Sequence, residues 1–127
     1  MSDQNKQTIE MVNAAFSENK IEDFLSFCAE DVVWTMVGDK TVEGRDAIRK
    51  WMDSMKPMEP PKFTVNAIIG EGDFGMAYGD MTMKGKDGKE APYSYCDVYR
   101  FQNGKIIELK SYVISTAAKK GKAAGSK

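Results

Sequence analysis

Apolar residues recur at helical spacing over residues 3–19, where Ile9, Val12 and Phe16 align with Met11 and Ala15 beside them. Ser2 or Asp3 stands where a cap is needed. After a break at Asn19-Lys20, a second stripe of Ile21, Phe24, Leu25, Phe27 and Cys28 predicts a helix over 21–29. The pair reads as a helical hairpin whose inner face covers something apolar. The β-branched and aromatic run 32–37 predicts a strand. Gly38-Asp39-Lys40 is turn chemistry. Gly44 leads into a third helix over 45–55, with Ala47, Ile48, Trp51, Met52 and Met55 on one side. Pro57, Pro60 and Pro61 then end it. Beyond Lys62 the pattern changes to strand and turn. Strands are predicted over 63–69, 74–84, 93–102 and 105–115, with turns at 70–73, 85–89 and Asn103-Gly104. Asn-Gly between alternating runs signals a tight hairpin.

Helices come first and strands after, an α+β layout. A curved, mostly antiparallel sheet folded over three N-terminal helices leaves room for a cavity between the layers. Residues 1–116 form one expected domain. The tail, 117–127, holds only Lys, Ala, Gly and Ser and is expected to be disordered.

The net charge of −1 provides no long-range field for nucleic acid. No apolar run is long enough to span a membrane, and the polar N-terminus lacks a signal-peptide core. Cys28 and Cys96 match no zinc or redox spacing, so free, mostly buried thiols in a cytoplasmic protein are expected. The chain contains no histidine. That removes the usual metal ligand and the usual general base, and leaves acid–base work to Asp, Glu, Tyr, Lys or Cys. Neither metal nor organic cofactor is implied.

Residues 93–109, YSYCDVYRFQNGKIIEL, carry the most chemistry. Asp97 sits there among tyrosines and aliphatics. An ionised acid buried without a partner is costly, so it reaches water, finds a donor or shifts its pKa. A structural reading has Asp97 hold Arg100, Lys110 or a helix terminus. A functional reading puts it in a pocket. Side chains alternate along a strand, so Tyr95, Asp97 and Tyr99 share one face, and Ser94, Cys96, Val98 and Arg100 the other.

Three stretches in order resemble the NTF2-like superfamily, in its SnoaL-like polyketide cyclase and ketosteroid isomerase branch. Phe24-Leu25 through Ala29-Glu30-Asp31-Val32-Val33-Trp34 resembles the passage from second helix to first strand. Glu43-Gly44-Arg45-Asp46-Ala47-Ile48 is similar to the family's third-helix start. Asp97-Val98-Tyr99-Arg100-Phe101, followed by Asn103-Gly104-Lys105-Ile106, resembles its penultimate-strand hairpin. The resemblance implies a cone-shaped half barrel with one pocket, and a homodimer packed through the sheet. It implies little about activity, because this fold hosts isomerases, cyclases, hydrolases and non-enzymes.

Residue by residue, the isomerase pattern is empty here. Its base falls near Met36, its tyrosine near Val12 or Asn13, and its acid near Ser94. The SnoaL-like cyclases keep an Asp in a D-x-x-R-F segment, and Asp97 matches it; the histidine they use on an earlier strand is missing. Epoxide hydrolases of this fold use an Asp-Arg-Asp set. Asp80 and Asp97, on neighbouring strands, supply two carboxylates, but no arginine lies at the inward position beside Asp80. The isomerase alignment turns the Ser94 face inward, the cyclase alignment turns the Asp97 face inward, and a bulge would reconcile them. The expected site is therefore Asp97 and Asp80 as acid–base residues, in an apolar pocket lined by Trp34, Met36, Tyr78, Ser94, Tyr95, Ser111 and Asn13. Trp51 and the helix methionines are assigned to the core. The expected ligand is a hydrophobic carbonyl compound. The alternative is a binder or dimeric scaffold that has lost the chemistry.

Overall fold

In the computed structural model, which describes residues 2–54, 62–84 and 88–116, helix α1 (Ser2–Ser17) buries Ile9 and Val12 completely. It ends where Asn19 takes a left-handed conformation (φ 58°). The Lys20 N–H then reaches the Ala15 carbonyl (2.8 Å), and the Asn19 N–H reaches Phe16 (3.2 Å), closing the last turn as a Schellman-type cap. Helix α2 (Ile21–Ser26) buries Phe24 and Leu25. It is shorter than its stripe predicts. The Phe27 carbonyl accepts the Ile106 N–H (2.9 Å), and Cys28 pairs with Ile106, so the chain enters strand β1 (Cys28–Met36) early. Sheet pairing overrides a stripe that helix and strand could both satisfy.

Strand β2 (Lys40–Glu43) was not expected; its start reads as turn chemistry. It pairs antiparallel with β1 at the sheet edge, and only Val42 is partly covered. Gly44 (φ 91°) then turns the chain into α3 (Arg45–Ser54), which buries Ile48. Asp46 pairs with Arg49, and Arg49 also reaches Glu22 (2.7 Å), tying α3 to α2.

Strands β3 (Lys62–Glu71), β4 (Phe74–Lys84), β5 (Glu90–Gln102) and β6 (Lys105–Ser115) form an antiparallel meander. The sheet order is β2-β1-β6-β5-β4-β3, with β1 and β6 parallel. β5 starts at Glu90, three residues before its predicted beginning. Asn103 (φ 54°) and Gly104 (φ 80°) are both left-handed, the hairpin geometry that Asn-Gly predicts.

The inner face of β4 explains how helix and sheet meet. Gly75, Ala77 and Gly79 are small, and α1 packs over β3 and β4. A Cβ at Gly75 would meet the Ile9 Cδ1, and one at Gly79 would overlap the Thr64 carbonyl where β3 bulges. Further along β4 the inward residues become Met81 and Met83, and a gap opens between layers. The third-helix end at Met55, the three prolines, most of the 85–89 turn and the tail at 117–127 lie outside the described residues.

Candidate functional site

The gap is a cavity of about 270 Å³, open on one side. Its wall is aromatic and thioether-rich. Phe16 packs on Phe24 (4.8 Å between ring centroids) and Trp34 (5.7 Å). Trp34 meets Trp51 edge-on at 5.2 Å, and Phe63 meets Tyr95 edge-on at 5.4 Å. Met36, Met52, Met81 and Met83 fill the spaces between, giving an apolar lining that adapts in shape. Asn19, Lys20 and Lys84 are exposed at its rim.

Two polar side chains lie deep in this lining, Asp97 on β5 and Ser111 on β6. They are direct cross-strand partners. Asp97 is 7% exposed and Ser111 4%. Burial pushes the Asp97 carboxyl up to about 6, and a hydrogen bond from Ser111 opposes that rise. The Trp34 indole N–H donates to the Ser111 Oγ at 2.9 Å. Arg100 and Lys110 do not partner Asp97. Both are exposed on the other face of the sheet.

Tyr95 stands two residues from Asp97 on the same face. Its hydroxyl is buried with no hydrogen-bond partner in the protein, and burial, then the Asp97 charge, pushes it up to about 12. The Tyr99 hydroxyl is also buried and unpartnered, and is raised well above the usual phenol range by burial. Among the described residues no group of three or more Asp, Glu and Cys side chains is placed to hold a metal ion.

Strand parity thus turns the Asp97 face inward. Of the residues singled out in the sequence, Trp34, Met36, Tyr95, Asp97 and Ser111 line the cavity together. Tyr78, Asp80 and Ser94 do not. Asp97 pairs with Ala77, so the neighbouring pairs Tyr78–Cys96 and Asp80–Ser94 face the opposite way. Tyr78 and Asp80 are exposed there, and Ser94 donates to Asp80 at 3.0 Å. Asn13 is buried on α1, its amide unpartnered, but it does not line the cavity. The lining also includes Phe16, Ile21, Phe63, Met81, Met83 and Val113, which the sequence pattern does not single out as site residues; Trp51 and Met52, assigned to the core, reach the cavity too. The small-to-large change along β4, Gly-Ala-Gly then Met-Met at alternate positions, was the available signal for Met81 and Met83. Cys28 is buried, its thiol raised to about 12, whereas Cys96 is half-buried; both are free.

Helices laid in an open, curved, mixed sheet around one inward cavity define the NTF2-like cone fold. Within that class the chain belongs to the SnoaL-like domain family, whose model matches residues 9–109. No curated protein matches the sequence significantly. Among solved structures, an NTF2-like protein of unknown function from Burkholderia pseudomallei superposes with a TM-score of 0.80, at 22% identity, over 87% of this chain and 90% of that one. A protein assigned as a SnoaL-like polyketide cyclase from Jannaschia sp. gives 0.79 at 12% identity, over 88% and 86%. An LEH-like epoxide hydrolase from M. tuberculosis gives 0.78 at 13% identity, over 88% and 84%. At these identities the likeness is one of fold. No helix among the described residues is long and apolar enough to cross a membrane.

Proposed function

We propose that residues 1–116 form a small-molecule-binding unit whose cavity takes a hydrophobic carbonyl compound, and that Asp97 moves a proton on it. The supporting observation is a buried carboxyl, raised to about 6, facing an apolar cavity with one serine as its partner. Such a group takes and returns a proton near neutral pH. In this reading the Asp97 carboxylate removes a proton beside the carbonyl and delivers it to another carbon. The unpartnered Tyr95 hydroxyl donates to the carbonyl oxygen as charge develops there. Trp34, Met36 and Ser111 complete the contact surface. Asp80 takes no part, and the chemistry needs neither metal nor organic cofactor.

The bicyclic ketone 2-tetralone in D₂O tests this. The wild-type protein should exchange the α-protons for deuterium, and Asp97→Asn should slow that exchange by about 10²–10⁴-fold while still quenching tryptophan fluorescence on binding. Equal exchange by both proteins would remove Asp97 from the mechanism. Binding without exchange by the wild type would favour a second reading, a non-catalytic binder. That reading is supported by Met36 standing in the cavity at the isomerase base position.

The outer sheet face supports a homodimer. Tyr78, Cys96 and Tyr112 form one cross-strand row there and Asp80, Ser94 and Ile114 the next, with Tyr78, Tyr112 and Ile114 exposed. The two free thiols fit a cytoplasmic location.

A further inference from the structure

We propose that Trp34 and Ser111 form a one-way hydrogen-bond chain that orients the Asp97 carboxyl and favours its ionised form, with Trp34 acting as a positioning residue through Ser111. An indole N–H donates and has no acceptor. With Trp34 Nε1 at 2.9 Å from the Ser111 Oγ, the serine must accept on that side. Its single proton is left for the cross-strand partner, Asp97. The direction of the chain is set by chemistry at both ends, a pure donor and an acid that accepts when ionised. Each bond polarises the next, so the indole makes the serine a better donor.

The geometry gives this chain a purpose that packing alone does not require. Trp34 is held by ring contacts to Phe16, Phe24 and Trp51, so its N–H direction is set by three elements of the fold. The carboxyl at the other end faces the cavity. The other titratable groups in the lining are Tyr95 on β5, Lys20 beside α2 and Lys84 at the end of β4. Tyr99 and Cys96, next to Asp97 on β5, are both raised. Tyr95, Tyr99, Cys96 and Lys20 therefore keep one charge state across the range where Asp97 titrates.

The inference rests on Asp97 as the proton-carrying group, yet it is tested without ligand. Carboxyl ¹³C NMR would follow the Asp97 titration in wild type, Ser111→Ala, Ser111→Thr and Trp34→Phe. Ser111→Ala should raise the midpoint by about 1 pH unit, and Ser111→Thr should restore it. Trp34→Phe keeps an aromatic ring without the N–H and should raise the midpoint by about half as much. An unchanged midpoint in either Ser111→Ala or Trp34→Phe would overturn the chain. The unmodified protein supplies a second reading that does not depend on those variants folding. Its Trp34 indole proton resonance should titrate at the Asp97 midpoint and cease to do so in Asp97→Asn; a resonance indifferent to pH would also overturn the proposal. Exchange of 2-tetralone with unchanged midpoints would remove the chain and leave the function, whereas shifted midpoints with no exchange would do the reverse.

Discussion

β5 carries the same chemical pair twice, once on each face of the sheet. On the inner face Asp97 stands across from Ser111; on the outer face Ser94 stands across from Asp80. Each aspartate has a serine hydroxyl as a partner. The difference is water. Asp80 is exposed, so solvent completes its shell, while Asp97 is 7% exposed and lies against aromatic and thioether groups. One serine cannot replace a hydration shell, and burial wins: the Asp97 carboxyl rises to about 6. A hydrogen bond between two residue types is thus no measure of a site until the surrounding dielectric is known.

Asp97→Asn should have the largest effect on this contrast. With a folded pKa of about 6 against an ordinary 3.8, the folded state keeps a proton that the unfolded chain has lost between about pH 4 and 6. Stability therefore falls as pH rises through that window and is level above it. The cost at pH 8 is about 3 kcal/mol. Asn cannot ionise, so relative to wild type the variant should gain up to that amount between pH 3.5 and pH 8. Denaturant unfolding of both proteins at the two pH values measures it. Tyr99→Phe comes next. Removing a buried, unpartnered hydroxyl should leave stability unchanged or raise it by about 1 kcal/mol in thermal unfolding; a loss of that size would mean the hydroxyl has a partner. Asp80→Asn should be smallest, below about 0.5 kcal/mol in dilute protein. A larger change that grows with protein concentration would assign the Asp80–Ser94 pair to the dimer contact.

Much of this was legible in the chain because alternation and helical spacing are strong where one face is buried. The stripe of Ile9, Val12 and Phe16 gave α1, and Asn103-Gly104 gave the β5–β6 turn. β2 was hidden because a four-residue edge strand with only Val42 partly covered has no pattern to show. Residues 28–31 have the local pattern of a helix end and linker, because the pairing that starts the strand joins Cys28 to Ile106, almost eighty positions away. The site followed the same logic. Grouping Tyr95 with Asp97 needed only the period of a strand. Deciding which face was inward needed the register with β4 and the helix above it, and neither is local. Without them, Tyr78, Asp80 and Ser94 read as cavity residues. The Trp34–Ser111 contact joins residues 77 apart in sequence, and no spacing rule could have revealed it.

Burial, only partly offset by one serine, lifts the Asp97 carboxyl to about 6, and everything proposed for the cavity depends on that. Carboxyl ¹³C NMR on the wild-type protein across pH 3–9 tests it directly. A titration midpoint close to 6 for Asp97 is the predicted result. A midpoint near the ordinary ~4 would contradict it, and would leave the cavity without a group poised to move a proton.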